Sequence, residues 1–255
     1  MATLDAWLEG FMHGPEALWV VLLVSLLLGL RHAADPDHLA AVTTLVASDE
    51  DRLGVRKAAS MGLWWGLGHA TTLILLGLPL VLLGRHLPER LQQAAEVAIG
   101  VIIVVLAARL LLKWRAGDYH VHEHSHGGEG AHRHLHSHAD ASEHSHAHAQ
   151  GLRTPLSAYG VGVVHGVGGS GGLTLLLLST IPGPSEAAVA LLVFAAGTTV
   201  SMALLSTAFG CALASGPIER NFERVAPVLG VLAAAFGVWY AAGVMGVMGV
   251  MAYPF

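Results

Sequence analysis

The sequence predicts an all-α, polytopic membrane protein with six transmembrane helices, arranged as two inverted three-helix repeats. Three observations carry that expectation. Of the 255 residues, 54% are hydrophobic and only 12% charged, with a mean hydropathy of +0.60. A soluble domain carries about 25% charged residues. Apolar runs near the ~20 residues that a helix needs to cross a bilayer recur along the chain, three on each side of a polar, His-rich stretch. Short motifs in the first set of runs also return in the second.

Residues 1–16 are mixed, with Asp5, Glu9, His13 and Glu16, and are expected to form a short interfacial helix. No basic n-region is present, so no cleaved secretory signal is expected. The first apolar run starts at Ala17, passes into Arg31-His32-Ala33-Ala34-Asp35-Pro36-Asp37-His38 and ends near Ala47. Ser48–Lys57 is charged and aqueous. The second run is Ala58–Leu83, with Trp64, Trp65 and His69 inside it, and Gly84–Arg90 is a turn with Pro88. The third run, Leu91–Leu112, closes on Lys113 and Arg115. Gly117–Arg153 carries 11 of the 17 histidines, mostly as His-x-His, and has no pattern that builds a core, so a disordered loop is expected. Three further runs come after it: Pro155–Ile181, Glu186–Ala214 and Glu223–Val250. The expected organisation is a first three-helix repeat over 1–116, a His-rich cytoplasmic loop over 117–153 and a second three-helix repeat over 154–255.

Lys and Arg set the orientation. With the N-terminus outside, the cytoplasmic loops hold Arg52, Arg56, Lys57, Lys113, Arg115, Arg133, Arg153, Arg220 and Arg224, and the outside holds Arg85 and Arg90. Both termini then lie outside and the His-rich loop is cytoplasmic, in what is expected to be the bacterial inner membrane. The repeat rests on two echoes: Gly29-Leu30-Arg31-His32 against Gly162-Val163-Val164-His165, and Gly68-His69-Ala70-Thr71-Thr72 against Gly197-Thr198-Thr199. A three-span unit repeated once must invert, because three is odd. Many transporters place their site at such an interface.

Ionisable groups at membrane depth are costly and by default mark a substrate or ion path. His32, Asp35 and His38 are spaced i, i+3, i+6 and fall within about a third of a regular helix's circumference. Asp37 points elsewhere unless the helix breaks. Pro36 supplies a break: it has no N–H, which is expected to free the His32 carbonyl, and it pushes Asp35 out of the helical region. Asp37 then either joins the ligands or orients an imidazole. The alternative is a polar helix end at the membrane surface whose charges pair with each other. His69 is a further metal or pathway candidate; otherwise it bonds a neighbouring helix. His165 opens His165-Gly166-Val167-Gly168-Gly169-Ser170-Gly171-Gly172, whose five glycines fit either an unwound backbone at the site or close helix packing. Glu96 and Arg109 are expected near the interfaces, and Trp64, Trp65 and the methionines from Met245 to Met251 in packing. Imidazole suits nickel, copper, zinc and iron, while Ca²⁺ and Mg²⁺ prefer oxygen cages. The single cysteine, Cys211, excludes an intramolecular disulfide framework. No basic patch suggests nucleic acid.

His32-Ala33-Ala34-Asp35-Pro36-Asp37-His38 resembles the His-x4-Asp-His signature of the nickel/cobalt permease family. Gly66-Leu67-Gly68-His69-Ala70-Thr71-Thr72 is similar to that family's second, Leu-Gly-His-Ser/Thr motif. The resemblance implies transport of Ni²⁺ or Co²⁺, with His32, Asp37, His38 and His69 handling the metal. Six spans are fewer than the eight of the high-affinity uptake branch, and His165–Gly172 lacks the acidic residues of that branch's later motif. The Gly-rich stretch resembles the shorter permeases associated with urease maturation, and the His-rich loop resembles six-span efflux proteins. A cytoplasmic metal chaperone or urease-maturation partner is implied.

Together these residues point to a metal transporter whose site is drawn from His32, Asp35, Asp37, His38, His69 and His165. It is not expected to be an enzyme and needs no catalytic cofactor; the divalent ion is its substrate and the bilayer its surroundings. No G-x-x-x-x-G-K-[ST] motif is present. Two other classes fit some of the residues: a membrane-embedded metal-dependent hydrolase, against which the absence of His-Glu-x-x-His counts, and a metal-sensing or delivery subunit without transport.

Overall fold

The computed structural model describes residues 15–47, 55–83, 85, 87–117, 120–124, 132–136, 154–168, 181 and 183–246. Helix α1 is Pro15–His32 and α2 is Pro36–Ala47. Between them the chain turns at Ala33–Asp35, and the two helices meet at 48°. Pro36 takes the first position of α2, where its missing N–H leaves no bond unmade. The Asp35 carbonyl accepts the first bond of α2, from Leu39 N–H at 2.9 Å. The carbonyl of His32 is not free, as the proline alone implies: the turn folds back and Asp35 N–H donates to it at 3.1 Å.

Helix α3 covers Val55–Leu82. Its turn at Leu73–Gly77 is widened into a π-helix. Pro79 is the local cause: it has no N–H for the carbonyl four residues back, and an inserted wide turn is one way a helix accommodates that gap. Helix α4 is Glu89–Ala116. It begins after Pro88 and stops at Gly117, whose φ of 76° needs a residue without Cβ. Helix α5 is Pro155–His165, started by a reciprocal Thr154–Ser157 capping box. Helix α6 is Pro184–Leu213, α7 is Gly216–Arg220 and α8 is Phe222–Val244.

Four of these helices are long and apolar enough to cross a membrane: α3, α4, α6 and α8. The bent pair α1–α2 makes a fifth if it counts as one span. The fourth expected run is helical over Pro155–His165, and residues 169–180, the greater part of its second half, lie outside the described residues. Residues 1–14 and 247–255, where an interfacial helix and two of the methionines were expected, also lie outside them. Large apolar side chains such as Leu23, Leu27, Leu75, Leu204, Leu232 and Val238 face outward. In water such a surface would be an aggregation patch; in a bilayer it meets lipid.

In the His-rich segment the expectation was a loop without structure. Two stretches of it instead pair antiparallel: β1 (His120–His124) with β2 (His132–His136). The alternation His-x-His has the period of a strand. The register sets His120 opposite His136, His122 opposite His134 and His124 opposite His132.

Inside the helical body α2 is central, packed against α4, α6 and α8. One apolar core joins Val42 and Leu45 of α2 to Ile103 and Leu110 of α4 and Phe222 of α8. A second joins Leu73 and Val81 of α3 to Leu191 and Phe194 of α6. The remaining contacts come in matched pairs. A Cβ on Gly29 of α1 would strike the Phe194 carbonyl and the Thr198 amide of α6; one on Gly162 of α5 would strike the Trp65 carbonyl and the His69 amide of α3. The Ser201 hydroxyl of α6 donates to the Leu30 carbonyl of α1, and the Thr72 hydroxyl of α3 donates to the Val163 carbonyl of α5 at 2.8 Å.

Candidate metal site

The break at Ala33–Asp35 puts α1's C-terminus and α2's N-terminus at the centre of the helical body. His32 ends α1, Asp37 and His38 open α2, His69 comes from the middle of α3 and His165 ends α5. All four histidines, Asp35 and Asp37 are buried, each 3% exposed or less. The structure therefore brings together all six residues singled out from the sequence. Buried ionisable groups need partners, and these find them in one another. Helix ends also favour this placing of charge: carboxylates at the start of α2 and a cation at the end of α1 suit the helix dipoles.

Each aspartate of the motif holds an imidazole. Asp35 Oδ2 lies 3.2 Å from His32 Nδ1, and Asp37 Oδ1 lies 3.0 Å from His38 Nδ1. Asp37 Oδ1 also accepts the backbone N–H of His38, at 2.9 Å. A carboxylate facing Nδ1 favours the tautomer with its proton there, which leaves Nε2 as a lone pair. His32 Nε2 stands 3.0 Å from His69 Nε2. His38 Nε2 and His69 Nδ1 are buried and have no hydrogen-bond partner among the described residues. The other carboxylate oxygen, Asp37 Oδ2, meets His165 Nε2 at 3.0 Å. Arg31 reaches Asp35 Oδ1 at 3.5 Å from a largely exposed position, so it contributes little.

The ligand atoms fall into two groups, His32–His38–His69 and Asp37–His38–His165, within each of which they lie no more than 4.8 Å apart. Aromatic walls close the ends. Phe194 lies 5.3 Å from His32 between ring centroids, and Trp65 lies 5.6 Å from both His38 and His165. Trp65, expected as plain packing, is thus fully buried packing against the site itself, while Trp64 is partly exposed beside Tyr159. Glu96, expected near an interface, is enclosed by the helical body. It is buried on α4, bonded by Gln92 at 3.1 Å, and its backbone packs against Gly168 just past α5. Nothing in its spacing among apolar neighbours separates a buried acid from an interfacial one. Ser170 lies outside the described residues.

An imidazole-rich, carboxylate-supported cluster inside an apolar helical body has donor chemistry that suits a divalent transition metal better than Ca²⁺ or Mg²⁺. The sequence model of the NicO family, described as High-affinity nickel-transport protein, matches residues 18–215. The chain belongs to the NicO family. Among characterised relatives, the Urease accessory protein UreH of Bacillus sp. (strain TB-90) is 28% identical over 221 residues, covering 86% of this chain and 90% of UreH. The High-affinity nickel transport protein of Cupriavidus necator is 37% identical over 115 residues, 43% of this chain and 30% of that protein. The Hydrogenase nickel incorporation protein HupN of Bradyrhizobium diazoefficiens is 34% identical over 83 residues, 31% of this chain and 21% of HupN. No solved structure matches. This NicO-family chain is an integral membrane protein of a nickel-transport family, and the family match spans both halves of its helical body, the His/Asp break included.

Proposed function

We propose that this chain carries Ni²⁺ across the bacterial inner membrane through the His32, Asp35, Asp37, His38, His69 and His165 cluster, in the uptake direction, with Co²⁺ as a second substrate. The observation that carries the reading is the pair of Asp–His contacts at the helix break, each made at Nδ1, which leaves the Nε2 of both rings for an ion. His32 and His38 are the central ligands with His69 beside them, Asp35 and Asp37 hold their partners in the binding tautomer, and His165 closes the far side. A divalent ion responds to the membrane potential with twice the energy of a single charge, about 4.6 kcal/mol per 100 mV, which favours entry.

The six-span, inverted-repeat plan belongs to the same proposal. Its support is the matched packing: exchanging α1 with α5 and α3 with α6 turns the Gly29 contacts into the Gly162 contacts, and Ser201–Leu30 into Thr72–Val163. Such a plan puts the ends of α1 and α5 on either side of a shared centre. Both termini then lie outside. The 117–153 segment lies in the cytoplasm, buffers incoming metal and meets a metal chaperone or urease-maturation protein there. UreH, named as a urease accessory protein, supports that last point.

Purified protein in liposomes loaded with a metal-sensitive dye tests the proposal. The expected result is Ni²⁺-dependent signal from wild type, and at least about a hundredfold less from His32→Ala or His38→Ala at equal insertion, because each removes a central ligand. Near-normal flux in His38→Ala sinks the assignment. Signal with Zn²⁺ alone would redirect it to another metal.

A further inference from the structure

Resting on the reading that the chain moves a divalent metal, we propose that the ion occupies two overlapping positions in turn. One lies among His32, His38 and His69, the other among Asp37, His38 and His165, and His38 is the ligand common to both. The ring spacing agrees with that order. His38 stands 4.5 Å from His32 and 4.2 Å from His165, while His69 and His165 are 6.3 Å apart. Each group alone is compact enough to hold an ion, with ligand atoms inside 4.8 Å. Each also contains two ligand atoms 3.0 Å apart that share a proton when no ion separates them: His32 Nε2 with His69 Nε2, and Asp37 Oδ2 with His165 Nε2. An ion arriving at either pair takes the place of that hydrogen bond, and the donating histidine's one proton moves to its other ring nitrogen, so the ring stays neutral and ligates through Nε2.

Two divalent ions sharing one ligand a few ångströms apart repel strongly in a buried site, so the cluster holds one at a time. The ion leaves His32 and His69 as it gains Asp37 and His165, and His38 keeps it from ever being stripped to its hydration shell in an apolar interior. The first position is all imidazole; the second adds a carboxylate, which changes the ligand set without a change of metal. His32 and His165 are the final residues of α1 and α5, whose packing against α6 and α3 is matched, so the two positions sit at corresponding helix ends.

The test uses the full chain, with Ni²⁺ as the probe, read by equilibrium binding, X-ray absorption and liposome flux. Wild type is expected to bind one Ni²⁺ in the buried cluster, apart from the weak ions of the 120–148 segment. His165→Ala and His165→Gln are expected to change Ni²⁺ affinity by less than about tenfold, because the three imidazoles of the first position remain, and to lower flux by about a hundredfold. His69→Ala is expected to weaken both. His165→Gln keeps a donor for Asp37 and guards against misfolding of the alanine variant. Wild-type flux from His165→Gln overturns the proposal, since His165 then only steadies Asp37. Two Ni²⁺ bound at once in the buried cluster, as counted in the 120–148 deletion variant, or equal loss of binding and flux in both His165 variants, also overturns it in favour of separate sites or a single one. A wild-type chain with no Ni²⁺ flux fails at the transport reading instead, a result none of the other outcomes produces.

Discussion

Asp35 and Asp37 perform the same task on different histidines, although they stand only two residues apart. On an uninterrupted helix two such residues point about 200° from one another. The turn at Ala33–Asp35 changes that, because Asp35 closes the turn while Asp37 already belongs to α2. The consequence is measurable. Asp35→Asn and Asp37→Asn each retain size and an acceptor oxygen but lose the charge that favours the Nδ1–H tautomer. Each is expected to lower Ni²⁺ affinity by about 10–100-fold, with insertion unchanged, as outer-sphere partners do. Titration calorimetry checks this; an effect below twofold for both would remove the aspartates from the site. Much of this was legible in the sequence. His32, His38 and both aspartates announce themselves by charge within an apolar run. The Asp37–His165 contact does not, because 128 residues separate the two and no local rule links them. The faint repeat that aligned His165 with His32 was the available signal.

Among elements, the helix pairs depend on glycine where backbones touch. Gly162 of α5 lies against the Trp65 carbonyl, and three residues later His165 reaches Asp37. Packing of this kind lets membrane helices approach without a hydrophobic driving force. Gly162→Ala forces α5 off α3, at a cost of about 1–3 kcal/mol for overpacking, and should move His165 away from the cluster. Gly160→Ala, on the same helix with open space around it, is the matched control and should behave as wild type. Thermal melts in detergent and flux in liposomes read both. Equal stability of the two variants would mean that α5 does not need its close seat. The helices themselves were readable from apolar run lengths. The break was readable from Pro36, but the π-turn at Leu73–Gly77 was not: Pro79 announces a disturbance without saying whether a helix bends, ends or widens.

For the whole molecule, the His-rich segment is the part that the helical body does not explain. Binding there must offset the ordering of chain, about 1–2 kcal/mol per residue fixed, though the β1–β2 pairing reduces how much remains to be ordered. Several weak ions are expected, lost as pH falls toward about 5, since free imidazoles take up protons near pH ~6.5 and a protonated ring cannot ligate. Deleting residues 120–148 should leave the buried site's affinity and the fold intact and shift the Ni²⁺ concentration at which transport saturates. Complete loss of flux from an inserted, Ni²⁺-binding deletion variant would place the segment on the permeation route. Composition showed that this stretch cannot form a core. It did not show pairing, because His-x-His alternation offers a strand period without the apolar face that usually accompanies one.

Trp65 has a use beyond closing the wall. Its indole is fully buried, stands 5.6 Å from both His38 and His165, and its Nε1 has no hydrogen-bond partner among the described residues. A paramagnetic ion seated among those rings lies close enough to drain the excited state of the indole. On the proposed reading, the Trp65 share of the emission from the six tryptophans, isolated by comparison with Trp65→Phe, is expected to fall as Ni²⁺ arrives and recover as it departs, with no dye attached.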